Sequence, residues 1–250
     1  MIHTCAFYEN INANTTKEIT VIPDDILTRT ADTRFMVPAD FARVDSAIVY
    51  KEDQIALPRI FSPSLETRKI YKRIFPINSW NDDGQNVLID RKSVTLVPTE
   101  EFTIIGQNTD TANARKVLAV LNLGHIEPVE AEDVLIVLAT GSTTLTPFKW
   151  TSVKVVPEIA LEAGSYQLLG FIPISAGCVC ARVLISGQVA RPGFPGIKAT
   201  SINGLKLSNL YDAFKFQNCG VFPHTAIPEF QFLSISADTS EYVIMFLKKA

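Results

Sequence analysis

The chain has 250 residues, 47% of them hydrophobic and 20% charged, with a formal net charge of −3. That composition is globular and long enough to bury a real core without disulfides or metals. It excludes a disordered tail, and it offers no strong nucleic-acid-binding signal, because neutralising many phosphates needs a basic face.

The start, MIHTCAFYENINANTTKEITV, lacks the charged opening and continuous apolar stretch of a secretory signal. No run approaches the roughly 20 apolar residues of a membrane-spanning helix, so no transmembrane segment is expected. Asn14-Thr15-Thr16 fits a glycosylation acceptor but has no secretory route to use it. The four cysteines, Cys5, Cys178, Cys180 and Cys219, form no disulfide framework. The expectation is a soluble protein made in a reducing cytosol.

Extended segments dominate in chain order. TKEITVI (16–22), DSAIVY (45–50), NVLID (86–90), SVTLV (93–97), EFTIIG (101–106) and RKVLAVLNLG (115–124) fill the first half. DVLIVLATG (133–141), WTSVKVVPEI (150–159), GSYQLLGFIPI (164–174), CVCARVLISG (178–187), FQFLSISA (230–237) and EYVIMFLKK (241–249) fill the second. They are rich in Val, Ile, Phe, Tyr and Thr, which suit a pleated, half-buried surface. NDDG, TGS, EAGS, SAG, SGQ and ADTS supply the turns between them. Many short strands at this spacing predict an antiparallel β-sandwich rather than a βαβ fold.

Helix is scarce. SPSLETRKIYKRIF predicts one short helix near 64–75, with Ser64 as N-cap, Leu65, Ile70 and Ile74 on one side, and Pro76 closing it. Its basic part, TRKIYKR, reads as a solvated face. SNLYDAF (208–214) predicts at most one further helical turn. No repeat of fixed period is visible. If the chain forms two β units rather than one, the acidic stretch IEPVEAED from 126 to 133 is the seam, giving 1–125 and 126–250.

Candidate chemistry is thin. Cys178 and Cys180 are two apart, so an unbroken strand puts both on one face. With Cys219 and His224 they begin a metal set, but structural zinc prefers two to four residues between cysteines. Buried packing is the stronger reading. His125 and His224 stand in turns with no orienting carboxylate at a recognisable offset. No nucleophile elbow, zinc-protease helix or phosphate-cradling loop occurs. The acid pairs Asp24-Asp25, Asp82-Asp83, Glu100-Glu101 and Glu132-Asp133 diverge to opposite faces if extended, which suits general acid–base work poorly. NSWNDDGQN reads as an Asx-rich turn, and Trp80 within it as a packing anchor or a sugar platform. We therefore expect no catalytic residue, no bound metal and no cofactor.

Proline-bracketed segments carry large rings: FMVPADF, LPRIFSPSL, FPINSW, ARPGFPG and VFPHTAIPEF. Proline stiffens such connections, and rings beside them suit contacts between copies of the chain. The assembly-interface candidates are Arg191, Phe194, Phe222, Phe61 and Phe75, with Arg182 pointing outwards from its strand.

The second half carries LEAGSYQLLGFIPIS, then CVCARVLISGQVARPGF, then EFQFLSISADTSEYVIMFLKKA. In these features it resembles the β-sandwich part of small viral and phage structural proteins. SPSLETR followed by IFPIN is similar to stretches of uncharacterised virion proteins. The resemblance implies a mainly β, jelly-roll-like sandwich that forms a capsid shell, located in the virion after synthesis in the host cytoplasm. Its partners are then copies of itself and other virion proteins. One departure is the N-terminus, which has a single lysine and no arginine in its first 28 residues instead of a basic arm. Genome contact would then fall to a membrane or a second protein. The competing expectation is a non-catalytic binding module, such as a spike, an adhesin or a carbohydrate binder, displaying Trp80, Trp150, Tyr166 or Tyr211.

Overall fold

Residues Glu241–Lys249 show how the sequence writes this fold: Val243, Met245 and Leu247 are buried, while Tyr242, Ile244, Phe246 and Lys248 face the other way. A period of two leaves one face of a strand for a core and one for its surroundings. The computed structural model describes residues 2–69, 72–73, 77–79, 94–125, 128–198 and 216–250. Within them the chain is mostly antiparallel sheet, and it divides into two compact units, one chiefly of residues 4–125 and the other of 126–250.

The N-terminal unit opens with β1 (Ile2–Ile11), β2 (Thr16–Glu18), β3 (Thr20–Val21), β4 (Arg29–Ala31) and β5 (Arg34–Met36). A 3-10 turn at Ala39–Phe41 leads to β6 (Arg43–Lys51) and β7 (Ile55–Phe61). Helix α1 (Pro63–Thr67) precedes β8 (Lys72–Arg73), β9 (Ile77–Ser79), β10 (Val94–Thr95), β11 (Glu101–Asn108) and β12 (Arg115–Gly124). One sheet runs β10-β6-β12-β1-β3 and the other β4-β5-β11-β7-β8, with β2 also on β11. Phe7 of the first sheet lies 5.9 Å from Phe35 and 6.2 Å from Phe102 of the second, closing the layer between them.

The C-terminal unit holds β13 (Leu135–Gly141), β14 (Trp150–Lys154), β15 (Val156–Pro157), β16 (Ser165–Ser175) and β17 (Cys178–Leu184). It continues with β18 (Gly193–Pro195), β19 (Ile197–Lys198), β20 (Gly220–Pro223), β21 (Glu229–Ser234) and β22 (Glu241–Lys249). Its sheets run β15-β13-β22-β16-β19, with β20 also on β16, and β14-β21-β17-β18. Phe171 on β16 bridges the layers edge-on, 4.7 Å from Phe194 and 4.9 Å from Phe230.

The pairings in the second unit are those of a rolled hairpin. Among its eight principal strands, first pairs with last (β13 and β22), second with seventh (β14 and β21), third with sixth (β16 and β20), and fourth with fifth (β17 and β18). That nesting is a jelly roll. The first unit repeats it: β1 neighbours β12, β2 and β5 pair with β11, β6 with β10, and β7 with β8. The chain is thus two successive jelly-roll sandwiches, a repeat of strand order with no counterpart in residue spacing.

Several segments differ from the sequence expectation. The proline-bracketed stretches are strands, not only connections: ARPGFPG supplies β18 and VFPHTAIPEF supplies β20. LPRIF lies in β7, where Pro58 falls opposite the register shift between Ile105 and Gln107. A bulge needs no amide from it. The helix is a short turn capped by Ser62, whose Oγ accepts the Leu65 N–H at 3.4 Å, and not by Ser64. It ends early because Lys69 turns to a φ of 53°. NVLID, NSWNDDGQN after Ser79, Trp80, Phe75 and SNLYDAF with Tyr211 lie outside the described residues.

Replacing Phe171 with Ala removes the ring that both partners meet. It should destabilise the chain by about 3–5 kcal/mol, read as a lower urea midpoint by circular dichroism. An unchanged midpoint would refute this inter-sheet role.

Candidate functional site

Three of the five assembly candidates are buried. Phe194 packs against Phe171, and Phe222 is buried and stacked on Tyr166 at 6.2 Å. Arg191 is 9% exposed, and its Nη1 donates to Gln231 Oε1 at 3.3 Å. Phe61 is half-buried at the end of β7, and Phe75 is outside the described residues. The rings gain more from the adjoining sheet than from water, whereas the guanidinium is costly to bury and is tolerated because it is hydrogen-bonded there.

Arg182 does not point into solvent. It is 1% exposed, its Cζ lies 4.3 Å from the Trp150 ring centroid, and its Nε donates to Gln231 Oε1 at 2.8 Å. Gln231 Nε2 in turn donates to Ser152 Oγ at 3.3 Å. The contact with Trp150 is a cation–π pair, which compensates part of the desolvation of a buried cation. Trp150 is therefore engaged, and Tyr166 is buried with its hydroxyl donating to the Glu162 carbonyl at 3.1 Å.

The residues weighed for chemistry are likewise structural. His224 Nδ1 accepts the Gly164 N–H at 3.2 Å and fixes that turn. Cys178 and Cys180 do not share a face. A bulge sets them opposite Ser234 and Leu233, whose side chains alternate. Burial pushes the thiols of Cys178, Cys180 and Cys219 well up from the ordinary value. Gly196 closes the Pro/Gly corner directly on Cys178, where a Cβ would overlap the thiol. Among the described residues, no group of three or more His, Cys, Asp or Glu side chains converges as a metal requires.

The acid pair at Glu100-Glu101 does diverge. Glu101 meets Arg34 at 2.9 Å, while Glu100 accepts from Ser62 Oγ at 3.0 Å, Ser64 Oγ at 2.7 Å and the Val97 and Ser64 amides at 2.8 and 3.0 Å. Burial alone would raise the Glu100 pKa; these donors outweigh it and hold the carboxyl below its usual range. Glu100 is a fastener between α1 and the turn before β11.

What the structure leaves open is a sheet face. On β13, Val137 and Ala139 point into the core, and Ile136 and Leu138 point out; Ile136 is 62% exposed. Ile136 stands opposite Phe246, Leu138 opposite Ile244, and Thr140 opposite Tyr242 and Val156. Val156 is 69% exposed. The outward positions of three adjacent strands are therefore mostly apolar, with Thr140 and, at the far end of β22, Lys248 as the exceptions, and Phe246 is packed against Phe216 at 5.8 Å. The edge is also incomplete. The Glu158 N–H reaches the Leu138 carbonyl at 2.9 Å, and β15 pairs only at Ala139 and Thr140. The first residues of β13 have no strand on that side among the described residues. A signal for this face was present in VLIVLA and YVIMFL, which are apolar at every position where a half-solvated strand alternates.

No family model matches the sequence, and no curated protein matches it. Among solved structures, the major capsid protein P2 from bacteriophage PM2 is similar over 100% of this chain and 98% of its own, at 9% identity and a TM-score of 0.25. A Paenibacillus xanthan lyase is similar over 98% of this chain and 25% of its own, at 10% identity and a TM-score of 0.22. Neither likeness carries a function to this chain.

Native protein should react slowly with a thiol reagent such as DTNB at pH 8, and all four cysteines should react after denaturation, since each is buried. A fast-reacting native thiol would contradict the packing described. Glu100→Ala should lower the denaturation midpoint and flatten its acid limb. A carboxyl held low in the folded state stabilises it above the unfolded value and loses that contribution as pH falls. An acid limb as steep as that of the parent would remove Glu100 from this role.

Proposed function

We propose that the chain is a non-catalytic coat protein whose copies associate, with other virion proteins, into a viral or phage shell. The observation that carries this reading is the largely apolar outward face of β15, β13 and β22, on a chain built as two successive jelly rolls. Jelly-roll sandwiches are a recurrent scaffold of viral capsids, and of lectins and cupins. The lectin-like alternative needs free aromatic rings, whereas Trp150 and Tyr166 are engaged within their own unit. A cupin-like site needs converging metal ligands, and the described side chains do not bring them together.

Exposed apolar area favours burial by about 25 cal/mol per Å², and contiguous exposed apolar patches mark contact surfaces. The face around Ile136 and Val156 is accordingly the proposed contact between copies, in place of the Arg191 corner. The location is the virion, and the absence of a basic run assigns genome contact to another component.

Untagged protein should sediment as a species larger than one chain, increasingly so with concentration, and negative-stain images should contain discrete particles. A strictly monomeric profile at high concentration would overturn the coat reading. Ile136→Lys should abolish association while leaving the circular dichroism spectrum unchanged. If that variant assembles like the parent, the contact surface is elsewhere.

A further inference from the structure

One carboxyl is sealed at the end of the C-terminal sandwich where β22 begins. Glu241 is 0% exposed. Its Oε2 accepts the N–H of Thr143, just after β13, at 3.0 Å, and its Oε1 is buried with no hydrogen-bond partner among the described residues. Glu241 pairs with Gly141 on the last rung between β13 and β22. The same loop is sewn down further along, where the Leu145 N–H reaches the Asp238 carbonyl at 2.8 Å and the Phe148 N–H the Ser234 carbonyl at 2.9 Å.

The groups facing Glu241 are a carboxylate and a thiol. Asp238 Oδ2 accepts the Ala176 N–H at 2.6 Å, and its Oδ1 the Thr239 N–H at 2.8 Å. Burial acts to raise its pKa, but the backbone donors of Ala176, Thr239 and Ser240 outweigh burial and keep it ionised. From β17, the Cys178 thiol is raised first by burial and then by Cys180, Asp238 and Glu241. Glu241 itself is raised, first by burial and also by the Asp238 charge. A buried carboxylate with an unpartnered oxygen beside a fixed negative charge is far costlier than the neutral acid.

We propose that Glu241 is a proton-operated latch: protonated, it holds the loop after β13 against the start of β22; ionised, it releases that end of the sandwich to water. The closed form keeps its proton to a higher pH than the open form. As pH rises past the ordinary carboxylate range, the open form ionises first and the closed form loses ground until its own higher value is passed. The device therefore opens with rising pH, the reverse of the acid loss expected at Glu100. It acts within one chain and does not depend on association between copies.

Hydrogen exchange of residues 142–149 and 235–240, corrected for the intrinsic pH dependence of exchange, tests this on the full chain between pH 5 and 8. Protection in the parent should fall by about tenfold for each pH unit separating the open and closed values. Glu241→Gln, which mimics the neutral acid, should keep its protection across the range. Equal pH dependence in parent and variant would overturn the latch. Should Glu241→Gln fail to fold, Asp238→Asn and a carboxyl-carbon titration decide. With the charge removed, the loss should be smaller and complete at lower pH, and Glu241 in the parent should titrate above the ordinary glutamate range. A Glu241 that titrates within that range, or an unchanged profile in Asp238→Asn, would also overturn it.

Discussion

Edge-to-face packing of Phe171 with Phe194 and Phe230 is the contact on which the C-terminal sandwich depends. Apart from corners such as Gly196, where the chain passes from β18 in one sheet to β19 in the other, inner-face side chains hold the two layers together. Rings do this well because each brings a large apolar area and a preferred edge-on geometry. The N-terminal unit solves the same problem with Phe7, Phe35 and Phe102, the last two 5.1 Å apart. In both units the rings come from strands far apart in sequence.

Polar side chains then fix the loops around these cores. Glu100 ties α1 to the turn before β11, and Asp110 caps the Ala112 and Asn113 amides at 2.8 and 3.0 Å while its other oxygen meets Arg115 Nε at 2.8 Å. Arg34 joins Glu18 on β2 to Glu101 on β11. Arg182 lies against Trp150 and Gln231. These groups belong to the types from which active sites are made, yet here each holds backbone or a neighbouring strand in place. The proposed coat role rests instead on a surface, the largely apolar outward face of β13 and β22. Glu241 lies at the end of that strand pair, so a proton there bears on how firmly its last rung is held.

Period-two patterning made most strands legible. RKVLAVLNLG, with its run of β-branched and aliphatic residues, is β12 over the same ten residues, and EYVIMFLKK is β22. The cysteines read as small buried hydrophobes, and they are buried. β1 was not legible because IHTCAFYENI mixes polar residues into a strand that is buried at nearly every position. β7, β18 and β20 were hidden by their prolines, which suggest loops but are tolerated at bulges and in short strands.

The sequence by itself determined that this is a sheet protein with a self-sufficient core, because alternation and turn chemistry are local properties written residue by residue. It did not determine which strand lies beside which. Nesting first with last and second with seventh is a long-range choice, made by aromatic side chains that meet only when both sheets are present. Only the tertiary structure buried Arg191, drew Arg182 onto Trp150, and split Cys178 from Cys180 with a bulge. Burial is a property of the assembled layers, and no single strand carries enough information to say which of two apolar faces they will cover.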